Sequence, residues 1–231
     1  GLPSKMTDSE IIGKMVLTGA VFWYVVSFSW WPRWHRTYSW WFARRNHRKL
    51  GQPCKSDIVL DRDGYSLGFS KKWKSAVWVS YIISKRSVGI DVDRGLRFYR
   101  DPKVPEECRV TPEAYTNTGY DRGHLAPSGA IDFSVKSNTE TFAMSNVVPQ
   151  NPGLNRQAWG SLEKIIRRWT HTKGKLAVVT GPIYSQRPRR MNGVPVPSRF
   201  YKVVWSFRHK QCIGFIFPNK DIRASELWKY A

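Results

Sequence analysis

Acidic residues are scarce in this chain. Its 231 residues include 17 Asp and Glu against 38 Lys and Arg, which gives a formal net charge of +21. Such an excess favours contact with polyanions, namely nucleic acid, anionic lipid or an acidic protein surface, but it does not choose among them. Basic subunits of ribosome-like assemblies share this composition, so charge alone does not indicate catalysis. The scarcity of acidic side chains therefore favours a polyanion as the binding partner but does not indicate the function.

Cysteine is also rare, and its spacing excludes a zinc site. Cys54, Cys108 and Cys212 lie far apart, with no C-x-x-C pair and no Cys/His spacing suited to zinc. One disulfide with a leftover thiol and three buried thiols are both compatible with this spacing. The chain also lacks internal repeats and low-complexity tracts, and its apolar fraction of 41% is enough to build a core. Its length suits one domain plus an appendage.

The longest apolar run lies near the N-terminus. Residues 11–31 read IIGKMVLTGAVFWYVVSFSWW, and Lys14 is their only charged residue. A helix of this length extends roughly 30 Å, which matches the hydrocarbon core of a bilayer. Trp30 and Trp31 stand where an interfacial aromatic belt lies, and Pro32 would end the helix. We therefore expect one transmembrane helix over about 11–31, with a buried core helix as the alternative.

Aromatic and basic side chains alternate over residues 31–53. Directly after a membrane span, the rings would lie among headgroups and the cations would meet lipid phosphates, whereas nucleic-acid contact by stacking and phosphate pairing is the alternative. We expect residues 11–50 to contact membrane lipid, so that residues 1–54 form an N-terminal membrane segment. The chain starts at Gly1 without an initiator methionine, which a removed targeting segment or an artificial start would explain.

From residue 55 onward the chain has the pattern of a compact mixed domain. Residues 75–84 and 175–184 predict strands, and residues 200–207 and 211–217 predict a hairpin, because β-branched and aromatic side chains dominate them. One helix is predicted between these strands, with one apolar face that would pack on a sheet. Its apolar residues are Leu154, Ala158, Trp159, Leu162, Ile165, Ile166 and Trp169. The pattern predicts an α+β domain over 55–231.

A short motif, DRGH, is the most specific feature of the chain. It places Asp121, Arg122 and His124 in a segment that looks like neither a core strand nor a helix. A single loop histidine is more often a surface residue than a catalyst. However, a second segment, SNVVPQNPGLNRQAWGSLE at residues 145–163, brings polar amides to a strand end and into the start of the predicted helix. A role at the helix N-terminus would explain Asn155 itself but not its spacing from DRGH.

Together these two segments resemble the DNA/RNA non-specific endonucleases, which include endonuclease G and are ββα-metal, or His-Me finger, nucleases. Further matches are YTNTGYDRGH at 115–124, VTGPIY at 179–184 and VPSRFYKVV at 196–204, so the resemblance covers roughly residues 60–220. It implies an α+β fold with a central, mostly antiparallel sheet flanked by helices. Here that fold would be preceded by the N-terminal transmembrane helix.

The resemblance implies a role for each polar residue of the two segments. His124 would be the general base that takes a proton from the attacking water, and Asn155 would be the direct ligand of a divalent cation, Mg²⁺ or Mn²⁺. Mg²⁺ keeps most of its waters, so one neutral amide oxygen beside water and phosphate is a sensible ligand set. Glu163 would hold metal-bound waters, Arg122 would contact the phosphate, and Asn146 would orient the site.

The family also uses an arginine upstream of the motif, near the charge that develops in the transition state. Arg94 and Arg97 both qualify within DRGLRFYRDP at 93–102, and the sequence does not separate them. Recognition is expected to be loose in sequence, because basic residues grip the DNA or RNA backbone and no base-reading helix is evident. Family members often form dimers, so a homodimer is an expected partner, although no residue marks a dimer surface.

Two functions from different classes follow from these observations. The first is a membrane-anchored, divalent-metal-dependent nuclease that hydrolyses phosphodiester bonds of DNA and RNA. The second is an accessory structural subunit of a large, mitochondrial respiratory-type membrane complex that has recruited the nuclease fold, with activity retained or lost. The mitochondrial inner membrane is the expected location, and a bacterial membrane is the alternative.

Overall fold

The computed structural model describes residues 46–49, 51–88, 97–132 and 134–231. The predicted transmembrane helix over 11–31 lies outside the described residues, and so does Arg94. Within the part of the chain that is described, no helix is both long and apolar enough to cross a bilayer.

The strands of the described residues form one large sheet and two small ones. In chain order they are β1 (Ile58–Asp61), β2 (Ser66–Ser70), β3 (Ser75–Ile83), β4 (Asp121–His124), β5 (Val147–Gln150), β6 (Leu176–Ile183), β7 (Arg190–Met191), β8 (Val194–Pro195), β9 (Arg199–Ser206) and β10 (Gln211–Pro218). The large sheet has the order β1-β2-β3-β6-β9-β10. Each neighbouring pair in it is antiparallel. The strands predicted at 75–84 and 175–184 and the predicted hairpin are confirmed as β3, β6 and β9–β10.

The DRGH motif is neither a helix nor a strand of the large sheet, as predicted, but it is not a loop either. It forms β4, which pairs antiparallel with β5 in the register Asp121 to Gln150 and His124 to Val147. The pairing partner lies far along the chain, and β4 has no alternation of apolar side chains that would reveal a strand. Gly123 is required here because a Cβ at this position would collide with the Gln150 side chain.

The predicted apolar helix is confirmed, and it begins with an irregular turn. A π-helical segment, Leu154–Trp159, runs directly into the α-helix Gly160–Thr172, which we call α2; the shorter α1 spans Val135–Thr141. Leu154, Trp159 and Leu162 are at most 1% exposed and join the core between the helix and the large sheet. The Trp159 ring centroid lies 5.6 Å from that of Phe200 on β9. Wide π turns inside helices often occur at functional sites.

Short 3₁₀ segments complete the described fold. They are Asn46–Arg48, Lys85–Ser87, Glu106–Cys108, Pro112–Tyr115, Ser128–Ala130, Met144–Asn146 and Ala224–Tyr230. The cysteines match neither arrangement that their spacing allowed. All three are free, with Cys108 buried and both Cys54 and Cys212 exposed.

Candidate functional site

The candidate site lies where β4 and β5 meet the start of the long helix. Side chains alternate along a strand, so Arg122 and His124 share one face of β4 and Asp121 lies on the other. Asn155 stands in the π-helical segment that follows β5. It reaches back to β4, because its Nδ2 donates a 2.9 Å hydrogen bond to Oδ2 of Asp121. The fold thus joins the two segments that the sequence singles out.

His124 is held between two aromatic rings. Its ring centroid lies 5.1 Å from that of Phe98, and 5.1 Å from that of Phe142 in an edge-on arrangement. Its Nε2 is buried and has no hydrogen-bond partner among the described residues. Burial lowers the pKa of His124 to about 4, so the imidazole is neutral at neutral pH. A buried, unpartnered ring nitrogen is costly, and it is the kind of atom that a bound ligand or water completes.

Arg122 is anchored beside the same ring. Its Nε and Nη2 donate hydrogen bonds of 3.2 and 2.8 Å to the carbonyl oxygen of Pro112. The guanidinium carbon lies 5.6 Å from the centre of the Phe98 ring and 5.9 Å from that of Tyr115. Nη1 donates to no described residue, so this nitrogen of the guanidinium can still donate a hydrogen bond to a ligand.

Asp121 determines which way the Asn155 amide is turned. Its carboxylate also accepts two hydrogen bonds from Arg156, at 2.9 and 2.7 Å. Partial burial acts to raise the pKa of Asp121, but the hydrogen bonds from Arg156 and Asn155 lower it overall. Because a carboxylate only accepts hydrogen bonds, the nitrogen of the Asn155 amide must face it. Oδ1 of Asn155 is therefore turned away from Asp121, and it accepts no hydrogen bond within the described region.

Glu163 lies in a different environment, two helical turns further on. Its Oε1 is 3.4 Å from Nζ of Lys202, a fully buried residue on β9 whose ammonium also lies 4.1 Å from the centre of the Trp159 ring. Burial raises the pKa of Glu163 and lowers that of Lys202, and their attraction opposes both changes. The Glu163 side chain is 15% exposed. No hydrogen bond joins it to Asn155 or His124.

Asn146 supports the chain immediately after His124. It is fully buried, and its Oδ1 accepts a 2.9 Å hydrogen bond from the backbone nitrogen of Ala126. Its Nδ2 donates to the carbonyl oxygens of Ala126 and Thr141 at 2.9 and 2.8 Å. These bonds hold the turn that follows β4 in place, and the role of Asn146 in orienting the site stays a prediction.

Of the two upstream arginines, Arg97 can be placed. It is exposed and directly precedes Phe98, the ring shared by Arg122 and His124. No local pattern indicates that Phe98 and Phe142 flank the histidine, since both contacts join distant parts of the chain. The pairing of Lys202 with Glu163 was not predicted either, although Lys202 belongs to the stretch at 196–204 that resembles the family.

The residues present fit a hydrated hard cation. No group of three or more His, Cys, Asp or Glu side chains that could hold an ion occurs among the described residues. The Asp121 carboxylate is already engaged by Arg156 and Asn155. The free Oδ1 of Asn155 is thus the donor that remains. One amide oxygen, completed by water and phosphate, suits Mg²⁺ because this ion usually keeps several of its waters.

Comparison with known proteins identifies the family. The pattern of the DNA/RNA non-specific endonuclease family matches residues 45–231. The chain belongs to this family, and the resemblance stated from the two segments is confirmed.

Individual relatives agree with this assignment. A nuclease of Syncephalastrum racemosum is 32% identical over 203 residues, which cover 77% of this chain and 63% of that protein. Human mitochondrial endonuclease G is 34% identical over 169 residues, which cover 68% of this chain and 57% of that protein. The chain thus spans about three fifths of the length of these relatives.

Solved structures confirm the fold class. A chain in the crystal structure of the EndoG/EndoGI complex superposes with a TM-score of 0.70 at 28% identity, covering 78% of this chain and 82% of that one. The expected α+β fold with a central antiparallel sheet is therefore confirmed. The transmembrane helix expected before it lies outside the described residues.

Proposed function

We propose that this chain is a divalent-metal-dependent nuclease that hydrolyses phosphodiester bonds of DNA and RNA, with His124 as the general base. The observation that carries the proposal is the state of the imidazole. It is neutral at neutral pH, and its buried Nε2 has no partner among the described residues. A group in this state accepts a proton from a water placed against it.

The low pKa of His124 keeps the imidazole neutral but limits its strength as a base. In the free protein the imidazolium is disfavoured by burial. In the complex, the phosphodiester brings negative charge towards the ring and the divalent cation brings positive charge, so the two act on the pKa of His124 in opposite directions. Proton transfer of this kind contributes about 10²- to 10⁴-fold to a rate.

Arg122 and Asn155 supply the remaining contacts. The free Nη1 edge of Arg122 contacts a phosphate oxygen, where a planar guanidinium matches the geometry of the anion. Asn155 holds Mg²⁺ or Mn²⁺ through Oδ1. When bound, such an ion supplies electrostatic stabilisation of the charge that develops on the phosphoryl and leaving oxygens. Glu163 lies further along the helix and acts on the hydration of the site rather than as a second ligand.

The relatives favour a mitochondrial location for the chain. Human endonuclease G is named as mitochondrial, and so is the mouse nuclease EXOG, which is 32% identical over 193 residues. We place this chain in mitochondria as well, attached to the inner membrane through residues 11–50, which lie largely outside the described residues. Membrane extraction of the full chain, with alkaline carbonate against detergent, tests the attachment.

Hydrolysis of plasmid DNA and of RNA by the purified chain tests the proposed activity. The wild type is expected to cut both with Mg²⁺ or Mn²⁺ and to stop in EDTA. His124→Ala is expected to lose at least about 100-fold in rate. His209→Ala is the matched control, because His209 is an exposed residue in the β9–β10 turn, and it should keep the wild-type rate. An inert wild type under varied metal and salt conditions would contradict the proposal and favour the structural-subunit alternative.

A further inference from the structure

The outer face of α2 carries a stripe of Lys and Arg side chains that ends at a histidine. Lys164, Arg167, Arg168 and His171 follow helical spacing, so they lie on one face. Lys164, Arg168 and His171 are exposed, whereas Leu162, Ile166 and Thr170 on the other side are buried. The helix therefore places its apolar side in the core and its cations outside.

These side chains and Val88 line an open cleft of about 580 Å³ beside α2. The 3₁₀ turn Lys85–Ser87, which precedes Val88, packs next to α2, and its Lys85 and Arg86 are exposed. Lys and Arg side chains therefore predominate in the cleft and beside it.

No ion pair neutralises Lys164 or Arg168 within the described residues. None of the described ion pairs includes Lys164, Arg167 or Arg168, or the two cations of the neighbouring turn. Glu163 is the acidic residue beside the stripe; its carboxylate is paired with Lys202 and also attracts Arg167. The exposed charges of Lys164 and Arg168 repel one another, so an external polyanion would stabilise them.

The cleft lies further along the helix whose first segment carries Asn155. Arg167 extends towards the turn Ser128–Ala130, which follows His124, and its Nη1 lies 3.5 Å from the position that a Cβ on Gly129 would take. From there the stripe continues to the C-terminal end of α2. Lys164 and His171 are separated by about 10 Å along the helix axis. That length matches about three phosphates of one strand at an axial spacing of about 3.4 Å.

We propose that the cleft of α2 binds the sugar–phosphate backbone of nucleotides that flank the bond cut at His124. The position of that bond rests on the proposed function, but the binding does not. Lys and Arg side chains that contact phosphates carry no information about base sequence, so the cleft adds affinity and not sequence specificity. It extends the contact of the substrate beyond the scissile phosphate.

Binding of a fluorescent DNA duplex to the full chain in EDTA tests the cleft without hydrolysis. The variant Lys164→Gln/Arg168→Gln removes two exposed charges, and Lys55→Gln/Lys71→Gln is the matched control. Lys55 and Lys71 are also exposed and lie near the β2–β3 turn, at the opposite end of β3 from Lys85–Ser87. The slope of log affinity against log salt is expected to fall by about 2 in the cleft variant, one for each lost phosphate contact, and little in the control.

The hydrolysis assay separates the cleft from the proposed activity. The cleft variant is expected to lose about 10-fold or more in kcat/KM on long DNA and to keep the wild-type value on a dinucleotide, which is too short to reach along α2. Lys164→Arg/Arg168→Lys keeps both charges and should restore the salt slope. One outcome is an inactive chain whose slope of log affinity against log salt still depends on Lys164 and Arg168. That result would contradict the nuclease proposal but not the proposal that the cleft binds nucleic acid.

Three results would contradict the proposal that the cleft binds nucleic acid. One is an unchanged salt slope in Lys164→Gln/Arg168→Gln, with thermal unfolding confirming that the variant is folded. Another is an equal change in the control variant, which would show that only net charge matters. The third is binding of phosphatidylglycerol vesicles, but not of the duplex, through these two residues.

Discussion

Replacing Asp121 by asparagine should weaken the support of the Asn155 amide. Oδ2 of Asp121 accepts hydrogen bonds from both Nδ2 of Asn155 and Nε of Arg156. An asparagine that places its Oδ1 there keeps both bonds but lacks the negative charge, so the amide whose Oδ1 the proposed metal site needs is held by a neutral hydrogen bond. The fold itself should barely change, because the Arg side chain of the Arg156–Asp121 pair is 71% exposed, and exposed pairs contribute little to stability.

The size of the effect follows from the hydrogen bonds that change. In the wild type, the amide donates to a charged carboxylate, a bond of about 1.5–3 kcal/mol, and in the variant it donates to a neutral oxygen, a bond of about 1 kcal/mol. Taking about 1.4 kcal/mol as the net loss gives a roughly 10-fold weaker ion affinity. This is the lower end of the 10- to 100-fold cost that is usual when a residue supporting a metal ligand is changed.

Initial hydrolysis rates over a Mg²⁺ titration measure this effect. The half-saturating Mg²⁺ concentration of Asp121→Asn should rise about 10-fold, with a rate at saturation that stays within a few-fold of wild type. Arg156→Gln should change little, because Asp121 keeps its carboxylate. The double variant Asp121→Asn/Arg156→Gln should be no better than Asp121→Asn, because it does not restore the carboxylate. An Asp121→Asn titration that overlays the wild type, or an Arg156→Gln variant as impaired as Asp121→Asn, would refute the reasoning.

Two further predictions concern buried titratable groups. Because burial lowers the pKa of His124 to about 4, kcat/KM should stay level from about pH 7 to 5 and fall only near 4; an acid limb near 6.5 would contradict this. The same shift should cost about 3 kcal/mol of stability as pH falls through that window, since the unfolded chain alone takes up the proton, and urea unfolding against His124→Gln measures it. Lys202→Met should destabilise the fold by about 3–5 kcal/mol, because it leaves the Glu163 carboxylate without its cation. Lys202→Met/Glu163→Gln should recover most of that loss in urea unfolding, and an equal loss in both variants would count against the pairing.

The elements with a regular apolar period were predictable from the sequence. The helix was identified because Leu154, Leu162 and Ile166 share the face that the core now covers. Strands β3 and β6 were identified because both faces of these central strands are largely buried, which selects β-branched and aromatic residues. In both cases the local pattern and the packing require the same side chains, so the pattern is a reliable guide to the fold.

The environment of the site was not predictable, because it consists of contacts between distant segments. The motif identifies His124 and Asn155, but the sequence does not reveal that Phe98 and Phe142 enclose the imidazole or that Asp121 orients the amide. Each of these contacts depends on where β4 lies relative to residues far along the chain. Sequence therefore names the reactive groups, whereas only the fold shows what sets their protonation and orientation.

The aromatic enclosure of His124 and the basic cleft of α2 have separate tasks in the proposed mechanism. Burial keeps the imidazole neutral in the free protein, so that it is ready to accept a proton. The cleft attracts the strand, because phosphates neutralise its Lys and Arg side chains. The enclosure therefore sets the protonation state of the base, whereas the cleft sets how much of the backbone is held while the base acts.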